Sequence, residues 1–176
     1  MVRYRRSFVP GGTFFFTVVL ADRRSALLTE RIDALGAAFR RCRNAHPFTT
    51  VAVAVMPEHL HCVWTLPEGD ADYATRWNVI KRGFTRRQYH EGPKPAGIRR
   101  RVWQPRYWEH TIADEDDLQR HVDYIHINPV KHGHARRASE WPHSSFHRYV
   151  QRGWLAEDWA GVADDGVDAP TPEFGE

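Results

Sequence analysis

The segment from Val51 to Leu66, VAVAVMPEHLHCVWTL, constrains the fold of the chain more than any other. Two apolar runs flank a central Met-Pro-Glu, and apolar runs joined by such a short turn predict two adjacent β-strands. Because side chains on a strand alternate between its faces, His59 and His61 project from one face and the apolar residues that alternate with them from the other. The second strand can therefore turn an apolar side to a core and keep two imidazoles on the opposite side.

A His-x-His pair on one strand face can serve two purposes. Both rings can reach a single divalent ion, because a ring nitrogen lies several ångströms beyond Cα and metal–nitrogen bonds are about 2.0–2.2 Å long. The same pair also suits a solvated sheet face that binds nothing. Cys62 points to the other face and is not expected to be a third ligand. The spacing alone leaves both interpretations open.

Residues 114–129, DEDDLQRHVDYIHINP, predict a helix. Its acidic opening suits the positive end of a helix, and Pro129 is expected to end it, since the residue before a proline disfavours helical geometry. Tyr124 and Asn128 are four residues apart and therefore project from one stripe, facing outward. A separate apolar stripe consists of Leu118, Val122 and Ile125.

The order of predicted elements indicates the fold. Strands are expected at 12–20, 48–56, 59–66 and 107–112, and helices at 25–44 and 70–89; the first strand is expected to be half-buried. This order of strand, helix, strand, strand, helix, strand is typical of a ferredoxin-like (split βαβ) α+β protein. Both helices would then cover one face of the sheet, and the helix that carries Tyr124 would lie against or beside the other.

Charge is distributed unevenly along the chain. Residues 1–156 contain all 25 Lys and Arg but only 15 of the 22 Asp and Glu, an excess of ten positive charges, which suits a polyanionic partner. The other seven acidic residues lie in 157–176. We therefore expect one domain over 1–156 and an acidic, flexible tail over 157–176, which either occupies a basic groove in place of a nucleic acid or stays solvated.

Two cysteines provide no disulfide framework and indicate a reducing compartment. The arginines near the N-terminus followed by FFFTVVLA imitate a signal peptide, but Pro10-Gly11-Gly12 interrupts the pattern and the alternation of residues predicts a strand. No run approaches the ~20 apolar residues that a membrane helix needs. We expect a cytoplasmic, nucleoid-associated protein with no membrane partner.

Six blocks of the sequence resemble, in order, those of the single-tyrosine HUH transposases, and within them the REP-associated tyrosine transposases. The blocks are GGTFFFTVVL, VMPEHLHCVWTLPEGD, RWNVIKRGFT, VWQPRYWEHTI, HVDYIHINPVKHG and WPHSSFHRYV. The resemblance implies that Tyr124 is the nucleophile and that His59, His61 and Asn128 hold a divalent ion, Mg²⁺ or Mn²⁺. It further implies cleavage and rejoining of single-stranded or hairpin DNA through a 5′-phosphotyrosine intermediate. We expect the protein to be a monomer or a homodimer.

The cationic and aromatic residues predicted to contact the DNA fall in the N-terminal arm, the second long helix, a basic loop and the segments that follow it. They are Arg3, Tyr4, Arg5, Arg6, Arg76, Lys81, Arg86, Arg87, Arg99, Arg100, Arg101, Arg106 and Lys131. Those on the second helix, Arg76 to Arg87, are expected to face outward together, where they would contact phosphates or only solvent.

Three other functions suit parts of the sequence. A non-catalytic ferredoxin-like nucleic-acid-binding module would stack bases on sheet aromatics such as Phe15, but it leaves Tyr124 and Asn128 without a role. A metal-free phosphoesterase needs two His-x-Ser/Thr motifs, and only residues 143–145 provide a convincing one. A structural zinc site normally uses four Cys or His ligands, and neither cysteine is placed for it.

Overall fold

The computed structural model describes residues 8–91 and 101–159. The predicted DNA contacts Arg3, Tyr4, Arg5, Arg6, Arg99 and Arg100 lie outside the described residues, as does the acidic tail beyond Trp159.

Four antiparallel strands form one sheet in the order β2-β3-β1-β4. Their bounds are β1 Thr13–Val19, β2 Thr49–Val55, β3 His59–Thr65 and β4 Trp108–Thr111. The first and third strands are central neighbours, paired Phe15 to Val63 and Thr17 to His61. This arrangement confirms the ferredoxin-like α+β prediction. The half-buried state predicted for β1 is wrong, because packed layers cover both of its faces.

The first layer contains α1 Leu27–Glu30, α2 Ile32–Ala45 and α3 Tyr73–Glu91. The helix predicted at 25–44 is divided at Arg31, whose non-helical backbone ends α1 and begins α2. Both long helices pack against the sheet face that carries Phe16 and Trp64. Trp64 stacks on Trp77 of α3 with ring centroids 4.3 Å apart, so large aromatic side chains fill this half of the core.

The second layer is α4, Glu115–Lys131, which covers the opposite face of the sheet. Its buried residues Val122 and Ile125 pack with Phe15 and Val63, as the predicted apolar stripe requires. The Asp114 side chain accepts a hydrogen bond from the Asp117 N–H at 2.8 Å and caps the helix, so the acidic opening has the predicted role.

The predicted end of α4 at Pro129 is wrong. A proline removes only its own N–H from the helix, and the following groups continue the pattern: the His132 N–H bonds the Asn128 carbonyl at 3.0 Å. The chain leaves the helix at Gly133, whose φ of 70° is the left-handed conformation that glycine adopts readily. The helix therefore extends to Lys131, which adds part of a turn beside the Tyr124 stripe.

The remaining described residues form a short 3₁₀ helix, Ala138–Glu140, and α5, Phe146–Gln151. Backbone bonds from Val55 N–H to the His143 carbonyl and from Ser145 N–H to the Val53 carbonyl attach this segment to the free edge of β2. Across residues 8–91 and 101–159, no helix combines the length and apolar character that crossing a bilayer requires.

Candidate active site

His59 and His61 project from β3 toward α4, with ring centroids 4.9 Å apart. Each ring is oriented by a hydrogen bond at its Nδ1 atom: His59 donates to Glu58 Oε1 at 2.9 Å, and His61 bonds Thr17 Oγ1 at 2.8 Å. The β1–β3 register, which pairs Thr17 with His61, makes the second bond possible. Because Nδ1 is occupied in both rings, Nε2 is the atom that each can offer to a ligand.

Burial keeps both imidazoles neutral. It lowers the pKa of His61 well below its ordinary value, and the neighbouring imidazoles of His59 and His132 lower it further. Burial also lowers the pKa of His59, and the net shift remains downward although the nearby Glu58 carboxylate raises it. Neutral imidazole is the form that binds a metal ion, so both side chains are ready to do so at neutral pH.

Tyr124 and Asn128 extend from α4 into the same space. The Tyr124 ring lies 5.2 Å from the His61 ring between centroids, and Lys131 Nζ lies 5.8 Å from the centroid of the Tyr124 ring. The two residues do share one stripe, but they face the sheet rather than solvent, and Asn128 is only 1% exposed. Burial raises the pKa of Tyr124, and a hydrogen bond from the Asn128 side chain lowers it by less.

The donor atoms at this position suit a divalent ion. Asn128 Oδ1 is buried and has no hydrogen-bond partner within the described parts of the chain. A buried carbonyl oxygen without a partner costs about 1–3 kcal/mol, which a cation would offset. Two imidazole nitrogens and an amide oxygen are ligands that Mn²⁺ and related ions accept. His59, His61 and Asn128 thus fit the metal-binding role predicted for them.

A second group of side chains could also hold an ion. One ligand atom each from His110, Asp117 and His121 lies within 4.8 Å of the others. Asp117, however, already accepts the Ala113 N–H at 3.0 Å and bonds His110 Nε2 at 2.8 Å, as part of the cap of α4. The His110 and His121 rings are stacked 14° from parallel, with centroids 4.7 Å apart. These three side chains are therefore an alternative ligand set within the described part of the chain.

His132 is a site residue that the sequence analysis missed. Its ring lies 5.0 Å from the His59 ring between centroids, at the exposed side of the site. The signal was present in the sequence, because Tyr124, Asn128 and His132 follow one another at intervals of four. The helix end predicted at Pro129 excluded His132 from that stripe.

The outward position predicted for Arg76 is wrong. Its side chain is 3% exposed, and its guanidinium group bonds the Asp70 carboxylate and the Pro47 carbonyl, both at 2.6 Å. Lys81 is also packed rather than free: Nζ bonds the Gln104 carbonyl at 3.2 Å. The two cations connect α3 to neighbouring loops, which the helical pattern alone did not indicate.

The other predicted DNA contacts within the described residues are on the surface. Arg86 and Arg87 are exposed on α3, on the opposite side of the sheet from His59. Arg101 and Arg106 are exposed in the segment before β4. Of the predicted cations that the structure describes, Lys131 is the one beside Tyr124.

The side chains on which the alternative functions depend are not placed to perform them. Phe15 is 2% exposed beneath α4 and presents no face on which a base could stack. Ser145 Oγ bonds His126 Nε2 at 3.0 Å and accepts the Val53 N–H at 2.9 Å, and Ser145 is itself buried, so the 143–145 motif attaches a segment to the sheet. Cys42 and Cys62 are both buried free thiols.

The fold and the site together define a class: α+β proteins in which two histidines on the sheet face a tyrosine and an amide on a covering helix. No protein-family model matches the chain. Two relatives match it over nearly their whole length. The chain is 48% identical over 165 residues, 94% of each sequence, to a REP-associated tyrosine transposase of Escherichia coli. It is 43% identical over 173 residues, 93% of this chain and 96% of the relative, to a putative REP-associated tyrosine transposase of Haemophilus influenzae.

A solved structure agrees. The structure described as a REP-associated tyrosine transposase bound to a REP hairpin is 49% identical, has a TM-score of 0.83, and matches over 92% of both chains. At these identities and coverages, the chain belongs to the family of REP-associated tyrosine transposases.

Proposed function

We propose that the protein is a metal-dependent endonuclease and strand transferase that cuts and rejoins single-stranded DNA at hairpins through a 5′-phosphotyrosine intermediate. The observation that supports this most directly is the meeting of four side chains in one place: His59 and His61 from β3, and Tyr124 and Asn128 from α4. A purely DNA-binding protein has no need for a buried amide oxygen beside two neutral imidazoles and a tyrosine.

In the proposed reaction, Tyr124 Oη attacks the scissile phosphorus. The phenol gives up its proton to solvent, the bond from phosphorus to the 3′ oxygen breaks, and that oxygen takes up a proton from solvent. The phosphoryl group stays esterified to Tyr124 and to the 5′ end of the downstream strand. The phosphoester is conserved in this exchange. The 3′-hydroxyl of another strand can therefore reverse the step without ATP, so cutting and joining are one reversible reaction.

The surroundings of Tyr124 favour the phenol over the phenolate, because burial raises its pKa. An unperturbed phenol, with a pKa near 10, is already almost fully protonated at neutral pH, so positive charge must assist the attack. Lys131 supplies one such charge, with Nζ 5.8 Å from the ring centroid. A divalent ion held by His59, His61 and Asn128 would supply the larger part, as a Lewis acid for the scissile phosphate.

The ligand set bears on the identity of the metal. Two neutral imidazoles and a neutral amide leave the full double charge of an ion available to the phosphate. Nitrogen ligands favour Mn²⁺ by affinity, whereas abundance favours Mg²⁺. We propose that either ion supports the reaction.

For the substrate, we propose hairpin DNA of the kind named for the structural relative. The exposed cations Lys131, Arg101 and Arg106 would contact phosphates, together with the N-terminal arm and the basic loop that lie outside the described residues. The protein would act as a monomer or a homodimer.

The test is a denaturing gel of labelled hairpin DNA incubated with Mn²⁺ and protein. Unsubstituted protein should shift a 3′-labelled strand into a covalent complex and leave a 5′-labelled strand free, which establishes the polarity of the bond. Tyr124→Phe should form no complex and keep hairpin affinity within a few-fold, whereas Tyr149→Phe, the matched control at another half-buried tyrosine, should form it. A covalent complex that persists in Tyr124→Phe would refute the assignment.

A further inference from the structure

The outer surface of the α2–α3 layer is strongly cationic. Six arginines are exposed on these two helices. Over the helical positions from Ile32 to Gln88, the exposed acidic residue is Asp33. The arginines are Arg40, Arg41, Arg43, Arg82, Arg86 and Arg87. This surface lies across the sheet from Tyr124, so it cannot be part of the active site.

Part of this surface is concave. A cleft of about 250 Å³ runs between α2 and α3, with Arg41 on one side and Arg86 and Arg87 on the other. Its floor consists of the small residues Ala34, Ala37, Ala38 and Gly83. Because these residues are small, the two helices approach closely, and the longer arginine side chains form the sides of the cleft.

Two of the three arginines of this cleft are not neutralised within the described parts of the protein. Arg41 and Arg86 form no ion pair within residues 8–91 and 101–159, and no carboxylate is among the described residues that line the cleft. Arg76, on the same helix as Arg86, shows the contrast, because it is bound to Asp70. Two unneutralised guanidinium groups on opposite sides of one concave strip suit phosphate oxygens, which accept their planar donors in pairs.

We infer that this cleft binds the phosphate backbone of the duplex stem of the DNA whose unpaired part enters the active site. The inference rests on the proposed function. The active site and the cleft are separated by the sheet and one helix layer, each about 10 Å thick. One DNA molecule that reaches both must therefore extend about 20 Å past the site, or roughly six base pairs at 3.4 Å each.

The stem length gives a direct test by equilibrium binding. The probes are two hairpins that share a loop and an unpaired extension but have stems of four and twelve base pairs. Binding is measured with full-length Tyr124→Phe protein, so that cleavage does not consume the probe. Arg41→Gln with Arg86→Gln removes two charges from the cleft and keeps good helix formers at exposed positions. The control, Arg24→Gln with Arg43→Gln, removes two exposed charges outside it.

The cleft variant should bind the twelve-pair hairpin on the order of ten-fold more weakly at moderate salt, and the slope of log affinity against log salt should fall by about two. Its affinity for the four-pair hairpin should match that of the control variant. Equal weakening for both stems, or no more weakening than in the control, would overturn the inference. Failure of the proposed function is seen separately, as absence of the covalent complex in the protein that retains Tyr124.

Discussion

The two faces of the sheet are both buried, yet they are built from different side chains. On the α2–α3 side, the strands contribute apolar residues such as Phe16, Leu60 and Trp64. On the α4 side, most of the buried polar groups of the described chain occur, among them Thr17, His59 and Asn128. The apolar face holds the fold together, and the polar face holds reactive groups in fixed positions at some cost in desolvation. We therefore expect stability and chemistry to be separable in this protein.

Trp77→Ala should show the stabilising side of this comparison most strongly. The side chain is fully buried against Trp64, so its removal should lower the free energy of unfolding by about 3–5 kcal/mol. Trp154→Ala is the control, since that ring is 59% exposed and should change stability by less than about 0.5 kcal/mol. Denaturant unfolding measures both. If the folded Trp77→Ala protein also lost Mn²⁺ affinity, the two faces would not be separable.

His61→Ala should impair cleavage and metal binding rather than stability. Loss of a direct ligand should reduce cleavage by at least about 100-fold and weaken Mn²⁺ binding, measured by calorimetry, because even outer-shell partners are worth 10- to 100-fold. His121→Ala is the matched control from the second histidine group, and it should keep both properties. The reverse result would move the metal site to His110, Asp117 and His121.

Thr17→Val tests whether the strand register orients the site. Its hydroxyl bonds His61 Nδ1 at 2.8 Å, and replacement by a methyl group should weaken Mn²⁺ binding by about 10-fold, at the low end of outer-shell effects. Thr17→Ser keeps the hydroxyl and should restore most of the affinity. Indistinguishable affinities for the Val and Ser variants would show that packing alone positions the ring.

The apolar face could be predicted from the sequence because periodicity reports burial directly. Strand alternation and helical stripes gave the four strands, the two long helices and the layer on which each packs. The shared face of His59 and His61 and the shared stripe of Tyr124 and Asn128 also followed from these patterns, but the outward direction predicted for Tyr124 and Asn128 did not hold. The family assignment came from the order of the sequence blocks and is confirmed by the relatives.

What could not be predicted depends on contacts between distant segments. Arg76 has the position of a solvent-facing cation in the helical pattern, and only the loop that contains Asp70 gives its buried guanidinium group a partner. The hydrogen bond from Thr17 to His61 requires the register of two strands that are 44 residues apart. The continuation of α4 past Pro129 likewise depends on the N–H groups that follow the proline, which still find helical acceptors.

Asp70→Asn should produce the smallest effect and tests how much the Asp70 carboxylate stabilises the buried Arg76 of α3. Hydrogen bonds from Arg76 hold the pKa of Asp70 below its ordinary value of 3.8. A carboxyl group with a lowered pKa in the folded state contributes stability that is complete above the ordinary value and is lost as pH falls through the folded one. The unsubstituted protein should therefore be more stable than Asp70→Asn at pH 6, with the difference shrinking below about pH 4 as Asp70 is protonated.

Chemical unfolding of both proteins at pH 6 and pH 3 measures this difference in stability. The Asp70 carboxylate is partly exposed, so the difference should be modest. A difference that does not change with pH would mean that Arg76 is held by the Pro47 and Asp72 carbonyls alone.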